Sequence, residues 1–288
     1  QESLRALKPT VYVDGRLVES VADEPSLKPG VQALGVTYDM VHDPALAPLM
    51  LADQNGVQVP RMLHINQSSG DLLNKLEAIR VLCQETGCAQ RYLAHDALNA
   101  IGQVSAHIDD ARGSNEHRAK FAEYLSHVQQ NDLSLGIAMT DAKGDRSRRP
   151  YEQANPDTYV HVVSQDAKGV VISGTKAIVT GAPYMHEFLV MPGRNMSKED
   201  AAFAICCAVP IDAKGITIVA RPAGRDPAGA VAVLGRVEPA AVAADLRVGP
   251  DQCRLQLGGD DWRCGAGGAA FLPHARLVDL DCLVAAGR

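Results

Sequence analysis

The feature that most constrains the fold is a change in hydrophobic periodicity near Asn131. Before that residue, apolar side chains recur every three or four residues over three long stretches, which is typical of amphipathic helices. After it, short segments rich in apolar and β-branched residues follow one another, separated by Gly, Pro or Asp, with no helical stretch between them. Helices followed by a run of strands favour an α+β fold with an antiparallel sheet or small barrel, and they argue against a βαβ fold.

The helical part of the chain contains three predicted helices. The first ends at Gly87, the second starts at about Cys88, and Ser114 or Asn115 can cap the third. Each helix is expected to bury one apolar stripe. The stripes comprise Leu72, Leu73, Leu76, Ile79 and Leu82 in the first helix, Leu98, Ile101 and Ile108 in the second, and Phe121, Leu125 and Val128 in the third.

Strands are predicted in two places. Near the N-terminus, Asp14-Gly15 separates two short apolar runs, 11–13 and 16–18, which indicates a β-hairpin because Asp-Gly tolerates the positive φ of a tight turn. A second hairpin turn is expected at 166–169. The later strands are predicted at 158–164, 169–172, 177–180, 187–191, 203–209 and 216–220.

Composition excludes several classes of protein. The chain has 288 residues, a net charge of -6 and a pI near 5.8, so we expect no nucleic-acid partner. No apolar run reaches the roughly 18 residues of a spanning helix, so we expect no membrane role. Seven scattered cysteines favour a reduced, cytoplasmic setting over a disulfide framework. The chain opens at Gln1 without Met or a leader, so we expect a trimmed chain with no export signal.

The last segment has an aberrant composition. From Pro222 to Arg288 the chain contains no Lys, Ile, Met, Asn, Ser, Thr or Tyr, although all are used freely before it. Low complexity or a reading-frame slip in a GC-rich gene, near 221–225, would explain the bias, and we favour the slip as a hypothesis. In either case we expect this tail to be irregular. The predicted domains are a helical domain at 1–135, a central β-domain at 136–221 and the tail at 222–288.

Several motifs in the middle of the chain carry a family resemblance. The segment 137–147 reads IAMTDAKGDRS, and 169–182 reads GVVISGTKAIVTGA with a Gly-x-Lys-x-x-x-Thr pattern. They are followed in order by EFLVMP at 187–192 and AVP at 208–210. From about Glu2 to Arg221 the chain therefore resembles the 4-hydroxyphenylacetate 3-hydroxylase / 4-hydroxybutyryl-CoA dehydratase family of flavoproteins.

This resemblance implies an acyl-CoA-dehydrogenase-like fold, with N-terminal helices, a central β-domain and a C-terminal helical bundle, assembled as a homotetramer. The bundle is the part that we expect this chain to lack. FAD would lie between the β-domain and the bundle, so flavin binding by this chain is expected to be weak or absent. The resemblance assigns flavin contacts to Met139, Thr140, Asp141, Lys143, Thr180 and Gly181, with Thr180 also catalytic.

The branch of the family is predicted from Ile137. Phenol-hydroxylating members have a His at this position, three residues before Thr140, and an apolar side chain cannot take a phenolic proton. The segment 138–146 is closest to the dehydratase branch, which implies a CoA thioester as the small-molecule substrate. A flavin-dependent 4-hydroxyphenylacetate 3-monooxygenase acting on a phenol, and a non-catalytic truncated fragment, remain the alternatives.

The dehydratase branch also carries a [4Fe-4S] cluster, which we regard as doubtful here. Cys88 matches the first cysteine of the family's Cys-x-x-x-Cys arrangement, but Tyr92 occupies the second position, and Cys83 does not restore the spacing. Cys88 is therefore more readily explained as a core thiol than as a metal ligand. Arg91, beside it, is predicted to hold an anionic or thioester-bearing substrate. His95 is interpreted as a structural histidine.

Overall fold

Six helices precede the main run of strands in the computed structural model, which describes residues 1–88, 91–142, 144–166, 169–220, 240–248 and 255–257. Three of the helices are long and correspond to the predicted ones. The helices are α1 (Glu2–Ala6), α2 (Lys28–Asp39), α3 (Ala47–Met50), α4 (Ser69–Thr86), α5 (Tyr92–Arg112) and α6 (Glu116–Gln130).

The caps of these helices follow from local chemistry. Ser68 and Asp71 form a reciprocal capping box at the start of α4, and Gly87 ends that helix in the left-handed conformation, with φ of +73°. At the start of α6, the carboxylate of Asp109 accepts hydrogen bonds from the backbone N–H groups of His117 and Arg118. The predicted cap at Asn115 stands at the N-cap position but makes no side-chain cap hydrogen bond.

Twelve strands lie within the described residues. They are β1 (Thr10–Val13), β2 (Arg16–Leu17), β3 (Leu51–Gln54), β4 (Val57–Pro60), β5 (Leu135–Ala138), β6 (His161–Asp166), β7 (Gly169–Val179), β8 (Glu187–Val190), β9 (Cys206–Pro210), β10 (Ile216–Ala220), β11 (Ala240–Val248) and β12 (Leu255–Leu257).

These strands form two larger sheets and one separate hairpin. The six-stranded sheet has the order β2-β1-β10-β11-β7-β6, and the four-stranded sheet has the order β12-β9-β8-β5. Most neighbours are antiparallel, as predicted, but β1 pairs with β10 and β5 pairs with β8 in parallel.

Four sequence-based expectations need correction. The first concerns α4, where Leu72, Leu73 and Leu76 are 47–67% exposed, and the buried residues of the helix are Ala78 and Leu82. The predicted buried stripe of this helix is therefore wrong over its first half. Hydrophobic spacing alone does not show whether another element covers a helix face.

The remaining corrections concern strands. The β3–β4 hairpin was not predicted, although its turn is Asn55-Gly56, with positive φ at both residues. The two strands predicted at 169–172 and 177–180 are one strand, β7. The tail contributes two strands, with β11 placed between β10 and β7, so the expectation of an irregular tail is wrong for 240–248 and 255–257. The rest of the tail lies outside the described residues.

The hydrophobic core attaches the helices directly to the sheets. One cluster joins Leu98 and Ile101 of α5 and Val128 of α6 to Leu135 of β5 and Leu189 of β8. A second cluster lies against the six-stranded sheet and includes residues of α2 and of the β1–β2 hairpin. The hairpin is confirmed and joins this sheet. The helices α5 and α6 thus pack against the β5–β8 pair and fix the position at which the chain leaves β5.

Candidate functional site

The end of β5 lies beside β7. The backbone N–H of Ala177 donates a hydrogen bond to the carbonyl oxygen of Thr140, with an N···O distance of 2.8 Å. The neighbouring residues Asp141 and Lys176 form an isolated antiparallel bridge. Thr180 follows Ala177 by three residues. The segment that leaves the helices and the end of the long strand therefore meet, and we call residues 139–141 and 177–181 the β5–β7 wall.

Two hydroxyl groups of the β5–β7 wall have no hydrogen-bond partner within the part of the chain that the structure describes. Thr140 and Thr180 are both half-buried, and neither hydroxyl is hydrogen-bonded to another of the described residues. A threonine hydroxyl can donate one hydrogen bond and accept others. Gly181 is buried, with φ of +70°, a conformation that favours glycine, and it turns the chain into the short 3-10 helix Ala182–Tyr184.

Beneath the wall lies a buried ion pair. Lys176 Nζ is 2.5 Å from Asp141 Oδ1, and the two residues are 3% and 6% exposed. Burial raises the pKa of Asp141 and lowers the pKa of Lys176, and the ion pair opposes both shifts. The Asp141 side chain therefore points into the protein, and only its backbone remains available to a ligand on the wall.

Two close contacts fix the backbone of Met139. Its carbonyl oxygen accepts a hydrogen bond from Lys176 Nζ at 3.0 Å. A Cβ placed on Gly193 would come within 2.7 Å of the same oxygen. Gly193 therefore provides the space for this backbone to pass. The remaining predicted flavin contact, Lys143, lies outside the described residues.

Ile178 is a further residue of the β5–β7 wall, and no sequence motif marks it. It has φ of +61°, an uncommon conformation for a β-branched residue, and it is 50% exposed. The pairing of β7 with β11 shifts register at this point, which marks a β-bulge beside Thr180. Bulges and strained backbone concentrate at functional sites. The sequence offered no signal for it, because Ile is a favoured strand residue.

Arg91 lies away from solvent. Its guanidinium is 2.5 Å from Asp132 Oδ1, donates to the Leu133 carbonyl at 3.2 Å, and stands 4.5 Å from the centre of the Tyr38 ring. The residue is only 2% exposed. These contacts explain Arg91 as a link between α2, α5 and the α6–β5 connection, and the predicted substrate contact has no support from them.

The surroundings of Cys88 do not fit an iron–sulfur cluster. Burial raises the pKa of the Cys88 thiol, which opposes formation of the thiolate that a cluster needs. Tyr92 is half-buried against the α3–α4 cluster of apolar residues. Among the described residues, no three His, Cys, Asp or Glu side chains are grouped to hold a metal ion. We derive no chemistry through a cluster.

Two histidines are structural within the described fold. His95 Nδ1 lies 3.0 Å from the Arg61 carbonyl oxygen, and burial lowers the pKa of His95 to about 4. His186 contacts the hydroxyls of Ser134 and Ser3, and burial lowers its pKa to about 4 as well. Both rings are neutral near pH 7. Ile137 lies in β5 opposite Leu189, so this position is part of the sheet core.

Comparison with known proteins gives a consistent result. A family model described as 4-hydroxyphenylacetate 3-hydroxylase N terminal matches residues 1–235. The 4-hydroxybutyryl-CoA dehydratase/vinylacetyl-CoA-Δ-isomerase of Clostridium aminobutyricum is 38% identical over 221 residues, which are 76% of this chain and 45% of that protein. The oxygenase component of 4-hydroxyphenylacetate 3-monooxygenase from Thermus thermophilus is 26% identical over 223 residues, covering 77% and 45%.

Solved structures agree with the sequence matches. An oxygen-tolerant archaeal 4-hydroxybutyryl-CoA dehydratase from N. maritimus superposes with a TM-score of 0.79 and 34% identity, covering 90% of this chain and 53% of that one. The oxygenase component of 4-hydroxyphenylacetate 3-monooxygenase in complex with FAD gives a TM-score of 0.75 at 23% identity, covering 90% and 54%, which supports the fold alone. The predicted α+β, acyl-CoA-dehydrogenase-like fold is confirmed.

This chain spans about half the length of the curated relatives that it matches. Within the part that the structure describes, no helix is long and apolar enough to cross a membrane.

Proposed function

Because the chain belongs to the 4-hydroxyphenylacetate 3-hydroxylase family, a family of flavin-dependent dehydratases and monooxygenases, we propose that it forms the β-domain side of a FAD site. The proposed activity is that of a 4-hydroxybutyryl-CoA dehydratase/vinylacetyl-CoA isomerase type of enzyme. The observation that supports the proposal is the hydrogen bond from Ala177 to Thr140, which brings Thr140 beside the strand that leads to Thr180. Neither threonine hydroxyl has a hydrogen-bond partner among the described residues. Bound FAD would supply a ring that takes up and returns an electron or a hydride.

The residues of the wall suit a flat, polar-edged ring. The hydroxyls of Thr140 and Thr180 would bond to its heteroatoms, and Gly181 would allow the backbone to approach it closely. The exposed side chain of Ile178 would cover apolar ring surface and exclude water. Asp141 would contribute through its backbone only, since its carboxylate is bonded to Lys176. Lys143 and Met139 remain proposed contacts.

The substrate proposal is a CoA thioester. It rests on the dehydratase relatives, which are 38% and 34% identical to this chain, and on Ile137, which is apolar and packed in the sheet. An apolar side chain cannot take the proton of a phenol, so hydroxylation of a phenol is the weaker candidate. Cytoplasmic location, a homotetrameric assembly and a role of Arg91 in substrate binding stay predictions.

Titration with FAD tests the proposal. The purified chain is added to FAD, and flavin fluorescence and the visible spectrum are followed at equilibrium. We expect saturable quenching with weak affinity. Thr140→Val and Thr180→Val should each weaken binding about fivefold, since one hydrogen bond contributes roughly 1 kcal/mol. Thr217→Val is the matched control, because Thr217 is a half-buried threonine on β10, separated from β7 by β11.

Two outcomes decide between the candidates. No saturable flavin binding would favour the non-catalytic fragment and would contradict the proposed site. If FAD binds, adding 4-hydroxybutyryl-CoA should perturb the bound flavin spectrum, whereas 4-hydroxyphenylacetate should leave it unchanged. The reverse pattern would assign the chain to the phenol-hydroxylating branch.

A further inference from the structure

The side chain of Lys176 uses all of its hydrogen-bonding capacity inside the protein. Nζ lies 2.5 Å from Asp141 Oδ1, 3.0 Å from the carbonyl oxygen of Met139 and 2.8 Å from the carbonyl oxygen of Met191. A lysine ammonium has three donors and no acceptor, so these three contacts saturate it. The residue is 3% exposed and cannot reach a ligand on the outer side of the wall.

The three acceptors belong to separate parts of the chain. Met139 and Asp141 follow β5, Met191 follows β8, and Lys176 itself lies in β7. One ammonium group therefore links the residues that follow the parallel strands β5 and β8 to β7, the long strand that leads to Thr180. Without it, two carbonyl oxygens and a carboxylate would lose a buried donor.

The position of Thr140 depends on this arrangement. Its two neighbours in sequence, Met139 and Asp141, both bind Lys176, and its own carbonyl oxygen binds the N–H of Ala177. Gly193 also packs closely against Met139, since a Cβ at Gly193 would lie 2.7 Å from the carbonyl oxygen of Met139. The backbone of Thr140 is thus fixed on both sides by contacts of the one lysine.

We propose that Lys176 is a positioning residue of the flavin site, which acts through Thr140 by holding residues 139–141 against β7 and the end of β8. The inference rests on the proposed function and extends it to a side chain that does not touch the cofactor.

Flavin affinity and stability together test this role. We expect Lys176→Met to weaken FAD binding about tenfold, equivalent to about 1.4 kcal/mol, and to lower the melting temperature. Lys176→Met leaves the buried carboxylate of Asp141 unpaired, and the double variant D141N/K176M replaces that carboxylate with a neutral amide. The double variant should therefore be more stable than Lys176→Met, but its FAD affinity should stay as low. Val170→Ala is the control, because Val170 is a fully buried residue at the other end of β7. It should lose stability with little change in FAD affinity.

If Lys176→Met and the double variant both bind FAD as tightly as the wild type, the proposal is overturned. It is also overturned if FAD affinity simply falls in proportion to melting temperature across Lys176→Met, the double variant and Val170→Ala. If the wild-type chain binds no FAD, the proposed function fails, and hydrogen exchange tests the lysine by itself. Lys176→Met should then speed exchange of the Ala177 and Met191 amides, which bond to Thr140 and Ala138. Unchanged exchange at both amides would contradict the positioning role.

Discussion

At the N-terminal turn of α5, Arg91 and His95 are buried, and each makes a hydrogen bond to another part of the protein. Arg91 binds Asp132 and lies over Tyr38, and His95 binds the carbonyl of Arg61. At the β5–β7 wall, Lys176 and Asp141 form a buried ion pair, while the hydroxyls of Thr140 and Thr180 have no hydrogen-bond partner among the described residues. Both regions carry residues that suggest chemistry. The unpaired atoms at α5, Arg91 Nε and His95 Nε2, are buried, whereas the wall threonines are half-buried, so their hydroxyls are the better candidates to meet a ligand.

This contrast shows that a reactive residue type is weak evidence for a functional site until the contacts of its side chain are known. Arginine and histidine near a cysteine suggest chemistry in the sequence. In the fold, Arg91 links α5 to the connection before β5, and His95 bonds to the backbone of Arg61. Threonine is common and carries little signal by itself. Its placement on a backbone fixed by a buried ion pair is what makes the wall a candidate site.

The largest expected effect is at the ion pair beneath the wall. Asp141→Ala leaves the Lys176 ammonium buried without its carboxylate, so the free energy of unfolding should fall by about 3–5 kcal/mol. Urea denaturation followed by circular dichroism measures this change. The control is Asp23→Ala, which breaks an ion pair with Arg5 in which both side chains are about half exposed. That loss should be far smaller, because solvent screens an exposed ion pair, and equal losses would show that the buried pair does not stabilise the wall.

A smaller effect is expected from acid at α5. The pKa of His95 is lowered to about 4 by burial, so the unfolded chain takes up a proton first as the pH falls below the ordinary value of about 6.5. The contribution of His95 to the free energy of unfolding is therefore fully present at neutral and higher pH, and it is lost as the pH falls toward 4. Between about pH 7 and pH 5 the loss should be about 2 kcal/mol.

Urea midpoints at the two pH values measure this contribution. His95→Gln should reduce the pH dependence by that amount, whereas His42→Gln, at an exposed position, should leave it unchanged. An identical pH dependence in His95→Gln and in the wild type would show that His95 is not held neutral by its surroundings.

The smallest effect is expected at Ile178. Glycine accepts the positive φ of this position, so Ile178→Gly should raise the free energy of unfolding by about 0.5–1 kcal/mol. The same change at Val219, a similarly exposed residue of β10 with no positive φ, should destabilise the chain. If Ile178 covers the flavin ring, the stabilised variant should also bind FAD more weakly. A loss of stability in Ile178→Gly would show that its backbone is not strained.

Much of the fold could be predicted from periodicity and turn chemistry. The α4–α6 helices, the Asp14-Gly15 hairpin and most of the β-domain strands follow from local patterns that the structure retains. The exposed leucines of α4 could not be predicted, because spacing identifies an apolar face and not what covers it. The strand β11 follows from long-range pairing with β7 and β10, which overrides a local composition whose only β-branched residue is valine.

The candidate site was predicted less completely. Family motifs led to Thr140 and Thr180, but the roles of these residues remain predictions. The sequence could not show that Asp141 is turned inward, since the charge-rich segment that contains it also fits a solvated loop. It gave Lys176 no role, although that residue stands inside the quoted motif. Ion pairing between β5 and β7 depends on three-dimensional placement, which no local pattern encodes.

Hydrogen exchange of the chain, measured with and without saturating FAD, tests whether the two segments of the β5–β7 wall form one surface for FAD. We expect added protection in two peptides, one covering 135–142 and one covering 176–184, because both carry parts of one flavin-facing wall. A peptide from the exposed start of α4, 69–76, should exchange equally in both conditions. Protection of only one of the two wall peptides, or of neither, would contradict the claim that these segments form a single surface for the cofactor.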